Sequence, residues 1–412
     1  MDIDEAQLHR YLDELYAIGA EPGAGGGCYR PLYGAAWATA CDLVAGWMSQ
    51  AGLAVRRDAV GNVWGRLEAS SGSGKAVVTG SHIDTVRRGG RLDGALGIVA
   101  GLVAVRAVAA ARGAPKRPLE VLVVAEEEGS RFATNFWGSR AIVGAIDPRE
   151  AETVTDADGV SLARAMRERG LDPAAIPSAA RDDLDAFVEL HIEQGAVLEA
   201  TAAPLGVVKA IAGAVHLEII VRGRADHAGT TPMDLRRDAL VGAAAMVQAI
   251  ASIAAALGRP AVATTGKLRV EPDQINVVPG RVVFTVDLRH ADLAGRRALE
   301  ERIRSLCGTI ASERELGLAI RALHERPPVP MDAGVRQTLE RAAKDAGVTP
   351  PPAALVSGAG HDAQVLAARC RVGMLFVPSI GGRSHCPDEA TDPAHVALGT
   401  RVLAGALELL AY

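Results

Sequence analysis

The chain has 412 residues, 49% of them hydrophobic, which is enough for two or three domains with sizeable cores. A formal net charge of −5 with no basic cluster gives no footprint for nucleic acid. The opening MDIDEAQLHR is acidic and polar, unlike a signal peptide, and the longest apolar stretch, Ala239 to Gly258, is mostly alanine with Gln248 and Ser252 inside it, so a buried helix is expected there rather than a membrane span.

A helix is expected over Ala35 to Ala51. Ala76 to Thr79, in KAVVTGSH, then reads as a buried strand ending at Gly80. His82 would leave the carboxyl end of that strand, the edge at which open α/β sheets bind ligands. Residues 80 to 94 read GSHIDTVRRGGRLDG. A histidine offers a neutral nitrogen to a metal, and Asp84 is placed to hold its other ring nitrogen. Asp93 sits among Gly89, Gly90 and Gly94, where the backbone can turn a carboxylate inward. Taken alone, the segment reads equally as an Asx turn beside a surface histidine.

A helix over Gly97 to Ala111 and a second apolar run, Leu119 to Ala125 (LEVLVVA), follow. That run ends in Glu126, Glu127 and Glu128. They could share a solvated loop. In a metal site, neighbouring side chains point different ways, so one carboxylate can bind a cation while the next serves as general base. FVELHIEQG, 187 to 195, ends a third apolar stretch with His191 and Glu193. Alternating helix and strand up to about residue 210 predicts a mostly parallel sheet wrapped by helices.

From 211 to 325 the pattern changes. Leu217, Ile219 and Val221 alternate with polar or small neighbours, and the segment ends at His227. Thr231 and Pro232 are expected to cap and open the long alanine-rich helix. Val282, Phe284, Val286 and Leu288 mark a strand with one buried face. A small α/β unit is therefore expected as an insertion, with ERPPVPMD at 325 to 332 as hinge or linker. The chain then returns through MLFVPSIGGRSHCPDE, 374 to 389, where a strand and two glycines precede His385. The resulting domains are 1–210 with 326–412, and 211–325.

The five cysteines, at 28, 41, 307, 370 and 386, show no Cys-x-x-Cys spacing, and their odd count argues against a disulfide framework. A shell of histidines and carboxylates suits zinc, manganese, cobalt or nickel without choosing among them. The residues together point to a cytosolic α/β metallohydrolase.

The strings GSHIDTV, LDG, AEEEGSRF, NFWGS, ELHIEQG, HAGTTPM, NVVPG, SGAGHDAQ and GGRSH occur in this order. In that order they resemble the peptidase-M20-like amidohydrolases, in the branch of allantoate amidohydrolases, N-carbamoyl-L-amino acid hydrolases and β-ureidopropionases. The resemblance runs from GAEPGAGGG at 19 to 27 to the last helix.

It implies that His82, Asp93 and His191 hold one divalent metal ion and that Asp93, Glu128 and His385 hold a second, with Asp93 bridging. It further implies that Asp84 orients His82, that Glu127 is the general base, and that the inserted domain is a lid and a homodimerisation surface. His227 would then reach the neighbouring subunit's active site to stabilise the oxyanion. Gln194, Asn276 and Arg289 match substrate-holding positions, as do the backbone of Gly358 to Gly360 and the adjacent His361. Arg289 suits a carboxylate through its planar fork. Read without the family, His227 is a surface histidine and Arg289 a solvated or acid-paired arginine.

EEEGSRF and FWGS look more like allantoate amidohydrolases than carbamoylases. The expected reaction is therefore hydrolysis of one ureido arm of allantoate to ureidoglycine, ammonia and carbon dioxide. An N-carbamoyl-L-amino acid hydrolase or β-ureidopropionase is the alternative, and a metal-free binding protein on the same fold a distant one. Where relatives commonly read GQRR, this chain has GAVH at 213 to 216, which makes His216 a further candidate substrate contact.

Overall fold

The computed structural model describes residues 1–21, 26–70, 72 and 74–412, so part of the GAEPGAGGG motif lies outside the described residues. In chain order the first strands are β1 (Ala54–Arg57), β2 (Val63–Leu67), β3 (Ala76–His82), β4 (Leu119–Val124), β5 (Leu184–Ile192) and β6 (Gly206–Ile211). Next come β7 (Gly213–Arg222), β8 (Asp226–His227), β9 (Val262–Glu271), β10 (Val277–Val278), β11 (Arg281–His290), β12 (Gly317–Arg326) and β13 (Val329–Pro330). The last two are β14 (Ala353–Ser357) and β15 (Arg371–Val377). The described residues divide into two compact units, one of Met1–Lys209, Met331–Leu355 and Gly360–Tyr412, the other of Ala210–Pro330 and Val356–Ala359.

The first unit is built on a sheet ordered β1-β2-β4-β3-β5-β15-β6. Its centre, β4-β3-β5-β15, is parallel, and antiparallel pairs flank it on both sides. Every residue of β3 and β4 is buried, which is why these strands read as mostly apolar runs instead of alternating ones, and the buried Glu120 of β4 is paired with Arg66 and Arg181. Strand β3 was expected to end at Gly80 but continues to His82, still paired with β4. A Cβ at Gly80 would lie 1.8 Å from the Leu122 carbonyl oxygen, so glycine here serves close strand approach rather than a turn. Helix Ala95–Arg112 packs on β3 and against helix Pro393–Ala411. The candidate site residues gather at one end of the parallel strands: His82 and His191 at the ends of β3 and β5, and Asp93, Glu127, Glu128 and His385 on the loops after β3, β4 and β15.

The second unit holds the antiparallel sheet β12-β7-β11-β9, covered by helices Ala239–Leu257 and Leu293–Glu313. Leu217, Ile219, Val221, Val282, Phe284, Val286 and Leu288 alternate into its core with Met246, Ile250, Leu299 and Ile303.

Three expectations change here. Helix Ala239–Leu257 is capped by Asp238, whose carboxylate accepts the Leu240 and Val241 amides at 2.9 and 3.1 Å, while Pro232 instead leads a separate turn at Met233–Leu235. The same helix is one-faced, not buried. Only 28% of its apolar window is covered, against 67% in Ala95–Arg112 and 56% in Pro393–Ala411, and all three are long and apolar enough to cross a membrane by length and composition alone. The ERPPVPMD stretch is no free linker, since Glu325 and Arg326 complete β12 and Val329–Pro330 pairs with Ile211 and Ala210.

Candidate active site

Asp93 lies at the centre of the first unit's polar cluster. Its Oδ1 is 3.2 Å from His191 Nε2 and 3.5 Å from His82 Nε2, and its Oδ2 is 3.2 Å from His385 Nε2. Glu128 Oε1 approaches the same His385 nitrogen at 3.3 Å. The two oxygens of one carboxylate thus face different histidine sets.

The outer ring nitrogens are already engaged. His82 Nδ1 lies 3.1 Å from the Asp84 carbonyl oxygen and 3.3 Å from its Oδ1, and His191 Nδ1 lies 2.9 Å from the Ile192 carbonyl oxygen. A proton on each Nδ1 leaves the Nε2 lone pair facing Asp93, the tautomer a metal-ligating histidine needs. Among the described residues, ligand atoms come within 4.8 Å of one another in four groups: His82, Asp93 and His191; Asp93, Glu128 and His385; His82, Glu127 and Glu128; and Glu189, His191 and His361. The donor set, histidine nitrogen with carboxylate oxygen, fits zinc or manganese.

Electrostatics agree with a cation pocket. Burial alone would lower the His82 and His191 pKa values, but the carboxylates of Asp84 and Asp93 raise the first and Asp93 raises the second. Hydrogen bonds to Asp93 and Glu128 push His385 up to about 11. Burial works to raise Asp93, yet its three histidines hold it well below the usual carboxylate range. Glu127 moves the other way, raised well above that range by burial and then by the charge of Glu128.

Gln194 and His385 reach this cluster from strained backbone, with φ of 56° and 55°. Gln194 Nε2 donates to Asp93 Oδ2 at 3.0 Å. His361 is buried with its ring centroid 4.6 Å from that of His191. Of the site residues expected from sequence, the first unit brings together His82, Asp84, Asp93, Glu127, Glu128, His191, Gln194, His361 and His385, with Gly360 preceding His361.

The second unit carries the others. His216 lies 3.5 Å from Asp287 across the β7–β11 pair. Asp287 also grips Arg289, through Nε at 3.0 Å and Nη2 at 2.7 Å, while Arg289 Nη1 donates to the Gly358 carbonyl. His227, at the end of β8, and Asn276, just before β10, are both exposed. His227 Nδ1 accepts the Gly229 and Thr230 amides at 3.0 and 3.2 Å, which leaves Nε2 to act as donor or acid.

The family model described as peptidase family M20/M25/M40 matches residues 78–409, a span that includes every one of these residues. The chain belongs to that family. An N-carbamoyl-L-amino acid amidohydrolase from Geobacillus stearothermophilus is 42% identical over 97% of both chains, and an allantoate amidohydrolase from Escherichia coli is 39% identical over 98% of both. The crystal structure of a hydantoinase/carbamoylase family amidase from Burkholderia ambifaria superposes with a TM-score of 0.93 at 36% identity, covering 100% of this chain and 98% of that one. The M20 chain is thus an enzyme of the amidohydrolase kind, acting on non-peptide C–N bonds.

Three buried groups around this M20 site, Glu189, Asp362 and Glu389, were not singled out in the sequence, and Glu126 was named there without a task of its own. Glu189 accepts the Ser81 hydroxyl at 2.7 Å, and Asp362 lies beside it. Glu126 accepts both the amide and the hydroxyl of Ser130, at 2.7 and 2.9 Å. Glu389 accepts the amides of Leu92 and Asp93. Glu189 carried a signal, an acid inside an apolar strand, because a carboxylate buried there needs a specific partner.

Proposed function

We propose that this enzyme is a cation-dependent hydrolase of ureido C–N bonds and that its substrate is allantoate, converted to ureidoglycine, ammonia and carbon dioxide. The observation that carries the reading is Asp93, whose two oxygens face separate histidine sets at 3.2 Å. His82, Asp93 and His191 would hold one divalent cation, and Asp93, Glu128 and His385 the other. Two such cations, when bound, acidify a water and polarise the ureido carbonyl.

Glu127 takes the proton from the attacking water on its carboxylate and returns it to the departing nitrogen. Its burial and its neighbour Glu128 favour the first transfer, because a carboxylate whose pKa is raised takes up the water's proton more readily than an ordinary carboxylate would. Asp84 orients His82. Gln194, His361 and the Gly358–Gly360 backbone are assigned to the substrate with His216 and Asn276, and Arg289 to its carboxylate. In the homodimer this reading implies, the second unit is the dimer surface and His227 serves the neighbouring subunit's reaction by holding the developing oxyanion.

The AEEEGSRF and FWGS strings favour allantoate. The 42% identity to the N-carbamoyl-L-amino acid enzyme favours a second reading, in which one carbamoyl group on an L-amino acid is cleaved. Ammonia release on allantoate, N-carbamoyl-L-amino acids and N-carbamoyl-β-alanine, with added Mn²⁺ or Zn²⁺, decides between them. Allantoate is expected to give the highest kcat/KM. Equal or faster turnover of a carbamoyl amino acid replaces the first reading with the second. Glu127→Gln is expected to abolish turnover by about 10² to 10⁴-fold; an active variant removes Glu127 as the base.

A further inference from the structure

The loop carrying Asp93 and the loop carrying His385 are joined by one side chain that belongs to neither proposed ligand set. Glu389 is buried, and its Oε1 accepts the backbone N–H groups of Leu92 at 2.8 Å and Asp93 at 3.0 Å. Its Oε2 accepts the hydroxyl of Ser384, the residue before His385, at 2.8 Å. Ser384 Oγ in turn lies 3.4 Å from Asp93 Oδ2 and accepts from Gln194 Nε2 at 3.2 Å.

Room for this carboxylate is made by a glycine. A Cβ on Gly90 would lie 2.2 Å from Glu389 Oε1 and 2.4 Å from its Cβ, so the turn before Asp93 closes only around an unsubstituted residue. Leu92 and Asp93 precede the helix Ala95–Arg112, and their amides are buried donors that need an acceptor. Glu389 supplies one from a residue 296 positions away from Asp93.

We infer that Glu389 is a positioning residue for the proposed two-cation site, setting the spacing between the backbone of the bridging Asp93 and the strained turn that presents His385. The inference rests on the cation reading given above. One oxygen holds two amides of the first loop, the other holds the second loop through Ser384, and a carboxylate is rigid between its oxygens. Loss of the side chain frees both loops at once. Glutamine preserves most of the arrangement, because its carbonyl oxygen keeps both amides and its amide donates to Ser384 Oγ, whose own proton then turns toward Asp93 Oδ2.

Hydrogen–deuterium exchange on the metal-free full-length protein tests the positioning directly. Glu389→Ala is expected to speed exchange in both the Leu92–Gly94 and the Ser384–His385 peptides, with Glu389→Gln close to wild type. Ser384→Ala, which removes only the second attachment, is expected to loosen the Ser384–His385 peptide alone and serves if Glu389→Ala does not fold. Wild-type exchange in Glu389→Ala, or in Ser384→Ala where it stands in, overturns the inference.

Calorimetric titration with Mn²⁺ then reads the consequence. Glu389→Ala is expected to bind the second equivalent about 10- to 100-fold more weakly, as for other groups that hold metal ligands in place, with Glu389→Gln restoring it. Unchanged affinity in a loosened Glu389→Ala overturns the claim on the ligands. A wild-type protein that binds only one equivalent instead sinks the two-cation reading, and the exchange comparison still decides the role of Glu389.

Discussion

Asp84 accepts the backbone N–H of Glu127 on its Oδ1 at 3.0 Å, and the same oxygen lies 3.3 Å from His82 Nδ1. Its Oδ2 takes the Glu128 amide at 3.3 Å. One buried carboxylate thereby ties a proposed metal ligand to the turn that carries the proposed base. In Asp84→Asn one oxygen becomes a donor, and a charge-assisted bond worth about 1.5–3 kcal/mol is lost. A drop of about 10- to 100-fold in kcat/KM is expected without loss of fold, checked by steady-state kinetics and circular dichroism. Wild-type kinetics in that variant would reduce Asp84 to a cap on the turn.

The placement of Asp93 sets a stoichiometry. Asp93→Ala is expected to lose both cation equivalents and His385→Ala only one, measured by elemental analysis after dialysis. Two retained equivalents in His385→Ala would take that histidine out of the ligand set.

Arg289 is held before any ligand arrives. Asp287 occupies its Nε and Nη2, and Nη1 rests on the Gly358 carbonyl. Lysine cannot keep that paired fork. Both Arg289→Ala and Arg289→Lys are therefore expected to raise KM for a carboxylate substrate by about tenfold or more, the range of one charge-assisted bond. KM for a neutral amide analogue should stay level. Equal effects on both substrates would assign Arg289 to the structure of the second unit.

Burial, and then the charge of Glu189, push the Asp362 carboxyl up to about 8. The folded chain therefore keeps a proton that the unfolded chain releases near pH ~4. Between those values each pH unit costs the folded state on the order of 1.4 kcal/mol at this group, and the loss levels off near pH 8. Asparagine does not titrate. Urea midpoints of metal-free Asp362→Asn should gain on wild type as pH rises from 5 to 8, and a gain that shrinks over that range would show that the carboxyl ionises normally in the fold.

The strands before the site were legible because burial on both faces leaves a mostly apolar run without alternation, as in LEVLVVA, where only Glu120 is charged. The strand-end placement of His82, Glu127, Glu128, His191 and His385 followed from those runs. The cap of Ala239–Leu257 was misread because a short turn at Met233–Leu235 separates Pro232 from the helix, and only the geometry at Asp238 shows which oxygen meets the free amides. Glu389 could not be read at all. The two amides it holds, of Asp93 and Leu92, lie 296 and 297 residues away, and local periodicity carries no information about such pairs.

Gln194 and His385 both carry a side chain on left-handed backbone. A residue with a side chain held at φ of 56° or 55° is costly by about 1–3 kcal/mol, a strain that glycine escapes. Glycine at either position would relax the metal-free chain while deleting a group that faces Asp93. Selection for thermal robustness alone would favour glycine at both, so under the proposed site Gln194 and His385 are two points where this fold would give up durability to do chemistry.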